Sequence, residues 1–241
     1  MRTLIISDIH SNLTALDAVL ADAGDVGEVW CLGDVVGYGP DPNACVQRLG
    51  NLKGLTCILG NHDAAVLDRI DINAFNGEAK RSLTWQKKSL DGSSRSFLEN
   101  LDECITMGDL TLVHGSPRNS IWEYILDLHT ARANFSEFKT KGCLVGHTHV
   151  PAVFTQAPSG KVNLHFFSCN DPVLLKEKFI LNPGSVGQPR DRDPRASYVV
   201  YENELDKWEF RRVAYDVEEV QTRILQAGLP RMHACRLAEG N

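Results

Sequence analysis

Five short apolar runs in this chain each end in residues able to bind a metal or move a proton. TLIIS (3–7) leads into Asp8-Ile9-His10, EVWCL (28–32) into Gly33-Asp34, and LTCIL (55–59) into Gly60-Asn61-His62-Asp63. LTLV (110–113) leads into His114-Gly115, and CLV (143–145) into Gly146-His147-Thr148-His149. Each cluster alone has a plain explanation: an Asx-capped turn, a loop start, a tight turn or a polar strand end. Five such explanations together are hard to sustain, because five of the chain's eight histidines fall at these ends. Alternate residues of an extended segment point the same way, which pairs Asp8 with His10 and His147 with His149. Those pairs, with Asp34 between them, an amide and a further histidine, describe a dinuclear metal centre. Mixed oxygen and imidazole donors without a thiolate suit Mn²⁺, Fe or Zn²⁺ better than Ca²⁺, with Mn²⁺ as the working choice.

The elements that must position these groups can be read around them. The runs are nearly continuous in apolar character, as expected of strands covered on both faces. Asn12 is placed to cap a helix through Leu13, Leu16, Val19 and Leu20 that stops near Gly24. A short helix follows Pro42, two more fill 75–101 with a break near Asp91-Gly92, and another covers 129–138. Strand and helix in alternation predict a layered α/β fold. Beyond residue 150 the pattern changes to short strands (PAVFT, VNLHFF, KFILN, ASYVVY, KWEFRRV), and the tail after Asp216 reads as one terminal helix that then frays. No repeat, low-complexity tract or linker interrupts the chain, so residues 1–241 are read as one domain.

Composition narrows the classes. Of 241 residues, 43% are apolar and 23% charged, an ordinary balance for a protein that buries a sizeable core. A formal net charge of −6 argues against an extended basic track for nucleic acid. No run is long enough to span a bilayer, and Met1-Arg2 passes directly into TLIIS with no signal-peptide pattern, which excludes a membrane role and makes the cytoplasm the expected location. The seven cysteines are scattered without a CxxC pair, consistent with reduced thiols.

The ordered set SDIH, GDVVGYGPD, GNHD, VHGSP and GHTHVP resembles the calcineurin-like metallophosphoesterase superfamily, in particular its small stand-alone bacterial and archaeal members. The resemblance runs from residue 7 to about residue 190 and implies a four-layer α/β/β/α sandwich with mixed sheets and two metals at the strand ends. It implies that Asp8, His10 and His149 hold one metal, that Asn61, His114 and His147 hold the second, and that Asp34 bridges them. It further implies that His62 assists the leaving oxygen, the plainer alternative being that His62 only holds Asn61 in place.

Departures from the family pattern carry information of their own. Where the family's protein phosphatases have an aspartate and an arginine after GDxx, this chain has Gly37 and Tyr38. The partner of His62 is therefore open, with Asp63 a candidate, and the phosphate-gripping cation must come from elsewhere: Arg118, Arg190, Arg192 or Arg195. Tyr38 could stack on a base or cover the site. NPGSVG (182–187) reads as a tight turn that the resemblance brings near the metals. Phe75, Trp85 and Phe97 make 75–101 a candidate helical cap. The expected activity is metal-dependent phosphodiester hydrolysis of a small or nucleotide-like substrate through a metal-bridging hydroxide. Alternatives are a dinucleoside polyphosphate, a phosphomonoester, or a non-catalytic metal-binding scaffold. Homo-oligomerisation is left open.

Overall fold

The structure is a computed structural model that describes residues 1–167 and 169–241. Its first half alternates β1 (Arg2–Ile6), α1 (Leu13–Ala23), β2 (Glu28–Cys31), α2 (Pro42–Gly50) and β3 (Leu55–Cys57), followed by α3 (Asn61–Val66), α4 (Gly77–Ser89) and α5 (Gly92–Glu99). The middle contains β4 (Cys104–Met107), β5 (Leu110–Val113), α6 (Leu128–Asn134) and β6 (Gly142–Leu144). Strands β7 (Ala152–Gln156), β8 (Val162–His165), β9 (Pro172–Leu174), β10 (Lys178–Asn182), β11 (Ala196–Glu202) and β12 (Lys207–Val213) precede α7 (Val217–Gln226) and α8 (Arg231–Glu239).

These strands form two mixed six-stranded sheets, in the orders β3-β2-β1-β11-β12-β9 and β4-β5-β6-β10-β7-β8. The period of two along each strand explains how the layers stack. In β1, Ile5 faces the second sheet, while Leu4 and Ile6 face α1 and α2. In β2 and the residue after it, Trp30 and Leu32 join the inter-sheet core, and Val29 and Cys31 join the helical side. Leu112, Leu144 and Leu181 close the inter-sheet core from the other side, whereas Cys143, Val145 and Ile180 pack outward against Ala131 of α6 and Phe135 just after it. The result is a helix–sheet–sheet–helix sandwich, in which each fully buried Leu or Ile contributes about 1.5–3 kcal/mol.

Local signals set the helix starts. The Asn12 side chain accepts the Ala15 N–H at 3.0 Å, and Asp91 accepts that of Ser94 at 2.7 Å, which divides 75–101 into α4 and α5. The tail differs from its expectation. It does not fray after one helix but turns at Gly228 and continues as α8, because Val220, Ile224, Leu229, Ala234 and Leu237 bury one another. Trp85 of α4 packs against this cluster and Phe97 of α5 against the helical side of the first sheet, so neither overhangs the strand ends. Strands β4 and β9 lie at sheet edges. No helix among the described residues is long and apolar enough to cross a membrane, and all seven cysteines are free.

Candidate metal centre

The polar clusters meet at one edge of the sandwich, but not through strand alternation. Strand β1 ends at Ile6, and Asp8, His10 and Ser11 then take left-handed backbone angles (φ 54°, 49° and 53°). Asp34, His147 and His149 do the same (φ 54°, 66° and 60°). Asp8 and His10 thus converge because the chain coils tightly past the strand end. A left-handed L-residue costs about 1–2 kcal/mol, so six in one site must be held by their surroundings. They are: the N–H groups of Asp8 and His10 donate to the Gly33 and Asp34 carbonyls at 3.0 Å, and Gly187 N–H donates to the Asp8 carbonyl at 2.9 Å. The NPGSVG segment supplies that last contact, and Ser185 Oγ donates to the same carbonyl at 2.8 Å.

The histidines are oriented from behind. His10 Nδ1 lies 3.1 Å from the Val36 carbonyl, His114 Nδ1 2.7 Å from that of Leu32, and His149 Nδ1 2.5 Å from that of Gln188. A carbonyl only accepts, so each Nδ1 carries a hydrogen and each Nε2 is the atom turned inward; burial lowers His114, but Asp34 outweighs it and raises His114 to about 10, so a cation would displace a proton from that Nε2. His149 Nε2 sits 3.3 Å from Asp8 Oδ1, His10 Nε2 3.6 Å from Asp34 Oδ2, and His114 Nε2 3.4 Å from Asp34 Oδ2 and 3.1 Å from Asn61 Oδ1. Among the described residues three overlapping metal-sized clusters result, Asp8-His10-His149, Asp34-His114-His147 and His10-Asp34-His62, all buried. Asp8 Oδ1 and His147 Nε2 are buried without a hydrogen-bond partner among the described residues. Converging lone pairs and orphaned donor atoms are what a cation site requires, and the donor set fits divalent ions of the Mn²⁺, Fe or Zn²⁺ kind.

Electrostatics point the same way. Burial, with Asp34 close by, pushes the Asp8 carboxyl up to about 7 against the pull of His114. Burial would raise Asp34 too, but His114, His62 and His10 outweigh it and hold its carboxyl well below the usual range. Burial drives His10 and His149 well below the ordinary imidazole value, which keeps their lone pairs free. Two buried carboxylates this close favour a shared cation over two separate charges.

Around this floor lies a cavity of about 300 Å³. His62, at the start of α3, is on its wall: its backbone N–H donates to Asp34 Oδ1 at 2.8 Å, and its ring packs 4.8 Å from His10 and 4.4 Å from Tyr38. Burial lowers His62 to about 4, against the pull of Asp34. Asp63 is not its partner, because that carboxylate accepts from the N–H groups of Val36 at 3.0 Å, Gly60 at 3.0 Å and Val35 at 3.3 Å. His62 Nδ1 has no partner among the described residues and abuts Gly37, whose missing Cβ would lie 2.3 Å from it.

Of the arginines, Arg190 lines the cavity, hydrogen-bonded to Gln188 Oε1 at 2.9 Å and Tyr38 Oη at 3.3 Å. Arg118 does not line it; its guanidinium pairs with Glu123, so it braces the 115–127 loop instead of facing a ligand. Arg195 pairs with Asp193. Phe75 brings the 75–101 segment to the rim, joined by Trp122 and Tyr124 from the 115–127 loop. Sequence reasoning missed those last two, since WEY (122–124) lies in a loop with no periodic signal.

Comparison with known proteins identifies the family and the fold. Residues 1–206 match the family described as the calcineurin-like phosphoesterase superfamily domain, and the chain belongs to that superfamily. It is 37% identical over 246 residues to an uncharacterized protein of Methanocaldococcus jannaschii, covering 98% of this chain and 97% of that protein. The crystal structure of a metallophosphoesterase from Sphaerobacter thermophilus is similar throughout, with a TM-score of 0.91, 43% identity and full coverage of both chains. A hypothetical protein from Pyrococcus horikoshii shares the fold at a TM-score of 0.79 and 21% identity, covering 100% of this chain and 98% of that one.

Proposed function

We propose that the chain is a phosphodiesterase that hydrolyses a small or nucleotide-like ester with two divalent metal ions, and that residues 1–241 work as one domain. The observation that supports this most is the pair of buried donor clusters on either side of Asp34, with histidine Nε2 atoms turned inward by backbone carbonyls. Asp8, His10 and His149 would hold one ion, Asn61, His114 and His147 the other, and Asp34 would be shared. Two such ions, when bound, would supply Lewis acidity toward phosphoryl oxygens and would lower the pKa of a bound water.

The chain's own residues do the rest. Asp34 stays ionised, with Oδ1 committed to the His62 N–H and Oδ2 directed toward His10 and His114. A neutral His62 ring still donates one hydrogen bond, which it offers to the departing ester oxygen. Arg190 replaces the arginine missing at position 38: no ion pair among the described residues occupies it, and Tyr38 holds it over the cavity, where it grips a non-bridging phosphoryl oxygen. Phe75 and Ala79 give α4 and the residues before it a partial cap at the rim.

The test is hydrolysis of bis(p-nitrophenyl) phosphate against p-nitrophenyl phosphate by protein stripped and reloaded with Mn²⁺, with Asp34→Asn as control. Metal-dependent turnover that prefers the diester and disappears in the control is expected. Two bound metals without turnover of either ester would refute the proposal and favour a binding scaffold.

A further inference from the structure

The cavity has a second surface that the hydrolytic residues do not use. Phe75 stands edge-on to His62 (5.1 Å, 77°), and Trp122 continues this surface 4.9 Å beyond Phe75. Tyr124, from the same loop as Trp122, lies flat on His147, 3.9 Å away at 11°. Tyr124 is 46% exposed, and Phe75 and Trp122 are half-buried, so all three keep ring surface toward the opening. Phe75 also packs on the helical-side core, but large rings left half-wet beside a polar floor offer a recognition surface.

These rings are held in place. The 115–127 loop has no helix or strand, yet Glu123, between the two rings, accepts from Ser116 Oγ and Asn134 Nδ2 at 2.7 Å and pairs with Arg118. The Trp122 N–H donates to Asn119 Oδ1 at 3.1 Å. A loop tied this way pays little ordering entropy when it receives a ligand.

We propose that Phe75, Trp122 and Tyr124 form a ring subsite on the leaving-group side of the phosphoryl position. This subsite selects esters whose alcohol carries a single flat aromatic system, either a simple aryl group or a nucleoside. The inference rests on the phosphodiesterase reading, because the side is assigned by the contact of Phe75 with His62. Size sets the limit: about 300 Å³ is the small end of ligand cavities, enough for one ring system and one phosphoryl group. Charge agrees, since Arg190 is the one cationic side chain among the described lining residues. Dinucleoside polyphosphates, with two bases and a longer anionic chain, exceed both limits.

The test measures binding by titration calorimetry to Mn²⁺-loaded protein, comparing phenyl phosphate with methyl phosphate and adenosine 5′-monophosphate with ribose 5-phosphate. At least one ring-bearing member should bind about tenfold or more tightly than its ringless partner, the order expected for stacking on aromatic side chains. The pair that shows the preference identifies the source of the ring. Trp122→Leu, which keeps apolar bulk, and Phe75→Ala should reduce that ratio severalfold while leaving methyl phosphate affinity and metal content unchanged. Equal binding within both pairs, or a ratio that survives both substitutions, would overturn the subsite. Ring-independent binding with intact diester hydrolysis would sink the subsite alone, and loss of metal-dependent hydrolysis would sink the parent reading.

Discussion

Gly37 combines a backbone angle that favours glycine with a Cβ position already filled by the site's rings. It takes φ +106°, and an added Cβ would lie 2.3 Å from His62 Nδ1, 2.9 Å from His62 Cγ and 3.0 Å from His10 Nδ1. Gly37→Ala therefore combines two penalties. The backbone angle costs about 1–3 kcal/mol for a residue with a side chain, and forcing a methyl into packed rings about 1–3 kcal/mol more. Stiffening the unfolded chain returns about 0.4–1 kcal/mol. The net loss is on the order of 2–5 kcal/mol, a fall in Tm of about 5–15 °C for a domain of this size. Gly92→Ala is the matched control, since its Cβ meets nothing within 4 Å and its φ is ordinary; it should melt within a few degrees of the parent. The assay is thermal unfolding of all three proteins at equal metal loading, with diester turnover measured in parallel. Gly37→Ala should also lose turnover at least tenfold, because His62 can relieve the contact only by moving. A Gly37→Ala protein that melts within 1 °C of the parent and turns over normally would refute the claim that Gly37 confines His62.

Three further outcomes follow from the same geometry. Stripping the metals should lower Tm, because an ion present at one hundred times its Kd stabilises by about 2.7 kcal/mol per site, or about 5–10 °C here; differential scanning fluorimetry with and without Mn²⁺ reads this, and Asp34→Asn should abolish most of the shift. His62→Ala should keep two metals by elemental analysis and lose about 10²–10⁴ in kcat; an unchanged rate would leave His62 a purely structural part. Glu123, held down to about 2 by Arg118 and further hydrogen bonds, is depressed in the folded protein, so its contribution is complete above its ordinary value of 4.5 and is lost as pH falls through about 2. Glu123→Gln should thus destabilise by about 1 kcal/mol at pH 7, with the gap to the parent narrowing below pH 4.5, as denaturant titrations at several pH values would show.

Much of the fold was legible because its signals are local. Asn12 caps α1 as expected, the break expected near Asp91-Gly92 separates α4 from α5, and the apolar runs form strands covered on both faces. The terminal helix pair was not legible. Its second half is held by Val220, Ile224 and Ala234 closing on one another and on Trp85, a long-range contact that a window along the chain does not contain. The edge strands β4 and β9 were missed for a related reason, since each depends on a partner strand and carries little apolar pattern of its own.

At the site, residue types were readable and their mechanics were not. Alternation along an extended strand would pair Asp8 with His10, yet the backbone reaches the same convergence through left-handed angles at Asp8, His10 and Ser11. The carbonyls of Val36, Leu32 and Gln188 that fix the imidazoles come from remote segments, and a carbonyl leaves no mark in a sequence. The motif glycines show the difference most clearly. In GNHD, Gly60 looks like a turn residue, but its φ is an unremarkable −93°. What the position lacks is space: a Cβ there would fall 2.1 Å from Asp34 Oδ1, the oxygen that receives the His62 N–H. In GHTH, Gly146 likewise has the Ser7 hydroxyl where its Cβ would be, at 2.0 Å, with Asp8 Oδ2 at 2.9 Å. These glycines let the chain pass close behind the carboxylates. Gly60 and Gly146 are therefore part of the geometry of the proposed metal site, and alanine at either should cost metal affinity even where the fold survives, which elemental analysis of the purified variants would show.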